Sequence, residues 1–209
     1  MSRFADWRLY LVTDRRLAGE RPLEEVVLAA VRGGVTAVQL REKEATTREY
    51  VTMARRLKAL LTPFGVPLII NDRVDVALAA GADGVHVGQS DMAYEDVRRL
   101  VSPHFLVGLS VETMQQAQAA EDLDADYLGV SPVFSTPTKT NTAEAWGIEG
   151  LTALRARARN VLVAIGGIDS SNAREVIHAG ADGIAVVSAI CAAPDPEDAA
   201  RELKRLISA

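Results

Sequence analysis

A chain of 209 residues with formal net charge −5 and 48% hydrophobic residues is long enough to bury roughly 70% of its unfolded surface. That hydrophobicity excludes a disordered polypeptide, and a sequence pI near 5.3 argues against a nucleic-acid binder, which carries a basic stripe. The single Cys191 cannot form an internal disulfide, no apolar run nears the roughly 18 residues of a membrane span, and residues 1–7 lack the apolar stretch of a signal peptide, so a cytoplasmic protein is expected.

Short apolar runs at Leu9–Val12 and Ala37–Leu40 read as the first two strands, with helical periods over Leu23–Arg32 between them and Arg48–Leu61 after them. Leu68–Ile70, helix Val74–Ala80, Gly84–Val87 and helix Tyr94–Val101 continue the alternation. Phe105–Leu109, helix Met114–Leu123, Tyr127–Val130 and helix Gly150–Ala158 follow, then Val161–Ile165, helix Ser171–Ala179, Gly183–Val187 and helix Pro196–Ile207. Strands too short to alternate, each followed by a helix, predict parallel strands covered by helices. Eight such units in 209 residues give about 26 residues each (209/8), near the minimum for a (β/α)8 TIM barrel, so one domain over 1–209 is expected. An open doubly wound sheet is the rival. Aromatic content of only 5% suits a core of small aliphatics. Residues 80–87 (AGADGVHV) resemble residues 179–186 (AGADGIAV), as two half-barrels would require, and the glycine after each helix suits a left-handed cap.

In this fold the reactive rim lies at the C-terminal ends of the strands. Strand two runs into Gln39, Leu40, Arg41, Glu42 and Lys43, strand three into Asn71 and Asp72, and strand four into Gln89 and Asp91. Strand five ends near Ser110, strand six leads to Thr136, Pro137, Thr138 and Lys139, and strands seven and eight lead to Gly166-Gly167 and Ser188. Two anion grips follow. Gly166-Gly167 with Ser188 suits a phosphate held by backbone N–H groups and a short helix N-terminus, against the plainer role of a tight turn. Arg41, Lys43 and Lys139 around Asp72 and Asp91 suit a diphosphate with Mg²⁺, against ordinary surface ion pairs. Asn71 is a polar contact to the same ligand. His86 reads as a satisfied barrel histidine, His104 and His178 as surface residues, and Cys191 as unreactive, with no zinc-like spacing and no Ser-His-Asp set. Trp146, after strand six, either covers the site or packs.

Tyr10-Leu11-Val12-Thr13-Asp14, residues 38–43 (VQLREK), Ile70-Asn71-Asp72 and residues 83–89 (DGVHVGQ) with Asp91 resemble the thiamine-phosphate synthase family. Residues 126–134 (DYLGVSPVF), 136–139 (TPTK), 165–168 (IGGI) and 186–190 (VVSAI) extend the resemblance in order over residues 9–190. It implies a transferase that joins 4-amino-5-hydroxymethyl-2-methylpyrimidine diphosphate to 4-methyl-5-(2-phosphooxyethyl)thiazole, giving thiamine phosphate and diphosphate. It implies that Gln39 to Lys43 (Leu40 and Glu42 included), Asn71, Ser110 and Lys139 hold the pyrimidine diphosphate, with Arg41, Lys43, Lys139 and Ser110 catalytic. Asp72 and Asp91 would bind Mg²⁺, and Thr136, Pro137, Thr138, Gly167, Val187 and Ser188 the thiazole phosphate. The expected partners are thus two small molecules, with no nucleic acid and no membrane; a homo-oligomer is compatible with the sequence. Family members commonly carry a His shortly after the strand-five Ser, where this chain has Val111-Glu112-Thr113, and a Pro where it has Ser135. Related thiazole tautomerases use a His in the strand-five region, so its absence favours the synthase. The rival readings are another phosphate-handling barrel enzyme and a barrel that only binds a thiamine precursor.

Overall fold

Short strands that are mostly apolar and buried along nearly their whole length must be covered on both faces, and the chain solves this by closing them into a barrel wrapped in helices. A computed structural model describes residues 5–135 and 144–208. The strands are β1 (Leu9–Val12), β2 (Ala37–Leu40), β3 (Leu68–Asn71), β4 (Gly84–Val87), β5 (Leu106–Val111), β6 (Tyr127–Val130), β7 (Leu162–Ile165) and β8 (Gly183–Val186). Every neighbouring pair is parallel, and β8 returns to β1, Tyr10 lying opposite both Ala37 and Ala185. Closure rules out the open sheet.

The helices are α1 (Arg15–Ala18), α2 (Leu23–Arg32), α3 (Thr47–Leu61), α4 (Val74–Ala80), α5 (Tyr94–Leu100), α6 (Met114–Ala119), α7 (Gly147–Arg155), α8 (Ala173–His178), α9 (Ser188–Cys191) and α10 (Pro196–Ile207), with a 3₁₀ turn at Thr62–Phe64. Local chemistry sets their starts. Thr46 and Glu49 form a reciprocal capping box at α3, and Asp195 caps α10 with Pro196 in its first turn. Most elements shift by a residue or two at an end, and three shifts are larger or carry a reason. β5 runs two residues further, through Ser110, because that polar side chain occupies an inward strand position; α6 ends at Ala119, and α7 begins at Gly147 rather than Gly150. Of the two glycines expected as left-handed caps, Gly81 is one (φ 68°, ψ 34°), whereas Gly180 has φ 105° and the cap of α8 is Ala179.

Period-two alternation sorts the strand side chains. Leu9, Leu11, Val38, Leu40, Leu68, Ile70, Val85 and Val107 join the apolar layer under the helices. Trp7, Tyr10, Val12, Ala37, Ile69, Leu106, Tyr127, Val163 and Ala185 form a second, inner cluster. Trp7 and Tyr127 pack with tilted rings, 4.2 Å between centroids, and Tyr10 meets Tyr127 edge-on at 5.6 Å, so these rings fill the N-terminal end of the barrel.

A recurring tie holds that same end. Before every even strand, a polar side chain accepts the N–H at the start of the preceding odd strand. Thr36 Oγ1 takes Leu9 N–H at 3.1 Å, Asp83 takes Leu68 at 2.8 Å, Asp126 takes Val107 at 2.7 Å and Asp182 takes Leu162 at 2.8 Å. Each aspartate also pairs with a cation: Lys58 at 2.6 Å, Arg98 at 2.8 Å and Arg155 at 2.9 Å respectively. The repeat seen at residues 80–87 and 179–186 is this device at β4 and β8. Asp126 is the most buried of the three aspartates, its side chain 5% exposed. Asp126→Ala strands the Arg98 charge and the Val107 N–H, and should cost about 3 kcal/mol in urea unfolding at pH 7. A loss below about 0.5 kcal/mol would remove the tie from the account of stability.

Candidate active site

The C-terminal ends of the strands surround a cavity of about 510 Å³ whose walls combine charged, hydroxyl and backbone groups. On one side stand Gln39, Arg41, Lys43, Asn71, Asp72, Asp91 and Ser110; on the other stand Gly166, Gly167, Val187 and Ser188. Elements distant in sequence thus bring most of the residues singled out from the sequence to one space.

The β2 end is set by hydrogen bonds from its neighbours. Thr13, fully buried, accepts the Arg41 N–H at 3.1 Å, and the buried Tyr50 hydroxyl donates to the carbonyls of Leu40 at 2.8 Å and Asn71 at 3.2 Å, tying β2 to β3. Among the described residues Arg41 is in no ion pair, whereas Lys43 Nζ meets Asp72 Oδ2 at 2.5 Å. Leu40 belongs to the layer under the helices, so its side chain is absent from the cavity wall; outward orientation is the alternation's consequence for the residue after Gln39. Glu42 also stays off the wall. Its carboxylate accepts the N–H groups of Lys43 and Glu44 and faces Arg15 at 3.4 Å, shaping the loop that presents Lys43. The side chains of Leu40 and Glu42, expected at the pyrimidine diphosphate, are therefore off the described cavity wall.

Asp72 has φ 62°, alone among the described non-glycine residues in being positive. An aspartate tolerates this left-handed region better than most residues, and such a conformation persists only where its surroundings over-determine it. Here its N–H bonds to His86 O at 2.8 Å and its carboxylate to Lys43. Asp91 accepts the Gly88 N–H at 2.7 Å. Burial, then the facing Asp72 carboxylate, push the Asp91 carboxyl up from its ordinary value, against the Gly88 N–H and the Lys43 charge. Two carboxylates this close, with oxygen donors only, form the kind of pair that a hard divalent cation relieves.

The opposite wall is backbone. Gly166 (φ 106°) and Gly167 (φ 65°) turn the chain after β7 where a side chain would collide: a Cβ on Gly166 would lie 2.8 Å from Pro132 Cβ, and one on Gly167 2.8 Å from Phe134 Cβ. Phe134 N–H bonds to Gly166 O at 3.0 Å, and Asn172 caps Gly167 O at 2.9 Å, so the turn is stitched to the loop after β6. Ser188 opens the short helix α9, whose first N–H groups have no helical partners, beside Gly167 on the cavity wall. Thr136, Pro137, Thr138 and Lys139 lie outside the described residues.

Tyr10, Tyr127 and Glu112 line the cavity although the sequence does not single them out as site residues, and His86, which reads from the sequence as a satisfied barrel histidine, also reaches the wall, between Tyr127 and Ser110; their inward aim depends on strand register. Trp146 is not on the wall: its ring packs against the apolar layer and its backbone N–H donates to Pro132 O at 2.9 Å. His104 and His178 are exposed. Cys191 is fully buried and burial pushes its thiol up to about 11, so it supplies no thiolate near neutral pH. Among the described residues no helix is long and apolar enough to cross a membrane.

The chain matches the family model described as thiamine monophosphate synthase over residues 9–190. A thiamine-phosphate synthase of Albidiferax ferrireducens is 59% identical over 202 residues, spanning 97% of this chain and 92% of that one. One of Leptospira biflexa is 52% identical over 200 residues, 94% of this chain and 95% of that one. The solved structure of a thiamine phosphate pyrophosphorylase from Pyrococcus furiosus superimposes with TM-score 0.89 at 41% identity, covering 98% of this chain and 96% of its own. By sequence and by fold, the chain belongs to the thiamine monophosphate synthase family.

Proposed function

We propose that the chain is a thiamine-phosphate synthase, a transferase that condenses 4-amino-5-hydroxymethyl-2-methylpyrimidine diphosphate with 4-methyl-5-(2-phosphooxyethyl)thiazole and releases diphosphate. The observation that carries the assignment of roles is the two-walled cavity: cations and paired carboxylates on one side, backbone N–H groups on the other, in about 510 Å³. Two anionic substrates need two separate grips, and the distance between the grips then sets the approach of the thiazole nitrogen to the pyrimidine methylene.

Arg41 and Lys43, with Lys139 from outside the described residues, would hold the diphosphate, and Asn71 and Gln39 would contact the same ligand from β3 and β2. Gly167, Val187 and Ser188 would take the thiazole phosphate, and the family resemblance adds Thr136, Pro137 and Thr138, outside the described residues, to that grip. The pair Asp72 and Asp91 would hold Mg²⁺, because it offers two carboxylate oxygens that already repel one another, the donor type a hard divalent cation takes. When bound, that ion neutralises charge on the leaving diphosphate. Arg41, Lys43 and Lys139 act in the same direction, stabilising charge that grows as the C–O bond breaks. The aminopyrimidine ring shares the positive charge left on its methylene, so cleavage runs ahead of capture by the thiazole nitrogen. No side-chain nucleophile takes part. The single-domain chain is proposed to work in the cytoplasm on these two small molecules alone.

A Mg²⁺-dependent assay for thiamine phosphate from the two purified precursors tests the assignment directly. Arg41→Ala and Lys139→Ala should each lower kcat/KM by about 100-fold or more while the melting temperature moves by less than about 3 °C. Unchanged kcat/KM in both would sink the cationic grip. Asp72→Asn keeps a residue that tolerates the left-handed backbone but removes a charge, so it should raise the Mg²⁺ concentration for half-maximal rate about tenfold with the fold intact. An unaltered Mg²⁺ dependence would take Asp72 out of the metal site.

A further inference from the structure

Inside the barrel, polar side chains from β1, β2, β4, β5 and β6 form one unbroken chain. Gln39 Nε2 donates to the Tyr10 hydroxyl at 3.0 Å, and the Tyr10 and Tyr127 hydroxyls are 2.9 Å apart. The Tyr127 hydroxyl lies 2.8 Å from His86 Nδ1, and His86 Nε2 lies 2.8 Å from Ser110 Oγ. The two ends, Gln39 and Ser110, face the substrates in the reading above; the middle three residues have no role there.

Proton counting gives the chain a direction. A phenol has one proton, and burial pushes both tyrosine hydroxyls up from their ordinary value, so both stay protonated. Tyr10 accepts from Gln39 and therefore spends its proton on Tyr127. Tyr127 in turn spends its own on His86 Nδ1. A neutral imidazole that accepts at Nδ1 carries its hydrogen on Nε2, and that hydrogen points at Ser110 Oγ. Ser110 is thus an acceptor toward His86, which leaves its own hydrogen to turn into the cavity. The barrel makes room for this line: a Cβ on Gly108 would sit 2.2 Å from Tyr127 Cζ, and one on Gly129 would sit 2.9 Å from His86 Cε1.

We propose that Tyr10, Tyr127 and His86 are positioning residues that hold His86 in its Nε2–H form and so aim the Ser110 hydroxyl, as a donor, at an acceptor nitrogen of the aminopyrimidine ring. This rests on the synthase reading, with Ser110 beside the pyrimidine. If the Tyr127 hydroxyl is removed, the imidazole can take its other form, and Ser110 then turns its hydrogen onto Nε2 and away from the substrate.

The test is a double-mutant cycle between Tyr127→Phe and Ser110→Ala, with kcat, KM for each substrate and the melting temperature measured for all four proteins. Tyr127→Phe should lower kcat/KM for the pyrimidine diphosphate about tenfold and change KM for the thiazole phosphate by less than about twofold. In the Ser110→Ala background the same replacement should cost less than about threefold, because the residue it acts through is gone. Equal losses in the two backgrounds, or equal effects on both substrates, would overturn the proposal. If Tyr127→Phe does not fold, His86→Gln and His86→Leu decide: the amide sets an acceptor oxygen and an N–H across one carbon as the imidazole does, so Gln should stay within about threefold of wild type and Leu lose about tenfold. Equal losses in that pair would also overturn it. A wild-type protein that makes no thiamine phosphate overturns the synthase reading and this proposal together, whereas an active wild type with additive losses overturns the positioning chain alone.

Discussion

Closure of eight short parallel strands is the constraint on which everything else rests. It forces every second strand residue into a narrow interior and leaves no edge strand to absorb a misfit. The interior cannot hold a large side chain at every inward position, so bulk is rationed by depth. Trp7, Tyr10, Tyr127, Ile69 and Leu106 fill the N-terminal end, while smaller and polar inward residues such as Asn71 and Ser110 leave the other end open as a cavity. Gly108 and Gly129 belong to this ration: each gives its inward space to a ring from another strand.

The two ends of the barrel consequently carry different work. At the N-terminal end, Thr36, Asp83, Asp126 and Asp182 close the starts of β1, β3, β5 and β7, and three of them anchor a cation from a helix. The visible internal repeat belongs to this structural end. That explains why only two of its four occurrences stand out in sequence. Asp126 follows Asp124-Ala125 instead of Gly-Ala, and Thr36 substitutes a hydroxyl for a carboxylate, yet both take the same N–H group. Geometry is repeated more faithfully than residue identity.

The barrel was legible because runs such as Leu9–Val12 and Gly84–Val87 are apolar, short and separated by helical periods, and those properties are local. The rim residues were legible for a related reason: polar groups directly after an apolar strand have a known destination in this fold. What resisted was anything that depends on inward aim. Ser110 and Asn71 look like loop residues in one dimension, but they are strand residues whose polarity faces the cavity. Leu40 and Glu42 sit within a run of rim residues, yet alternation sends one outward and the other into its own loop. Tyr10 and Tyr127 lie 117 residues apart and meet only when β1 and β6 are both set in register around the barrel. A single sequence carries no sign of that meeting.

The strain at Asp72 and the direction of Ser110 meet in one residue. The backbone carbonyl of His86 accepts the Asp72 N–H at 2.8 Å and helps hold that residue in its left-handed conformation. The side chain of the same histidine bridges Tyr127 and Ser110. Gln89, three residues on, donates to Ser110 O at 2.6 Å, and the Gly88 N–H between them holds Asp91. The end of β4 is therefore a common support for both carboxylates and for the Ser110 hydroxyl. The two groups are coupled, because their supports lie within four consecutive residues, 86–89, of one strand end and its turn. For a reaction in which a leaving group and a ring must be held in fixed relation while a bond between them breaks, one rigid support is worth more than two independently mobile loops.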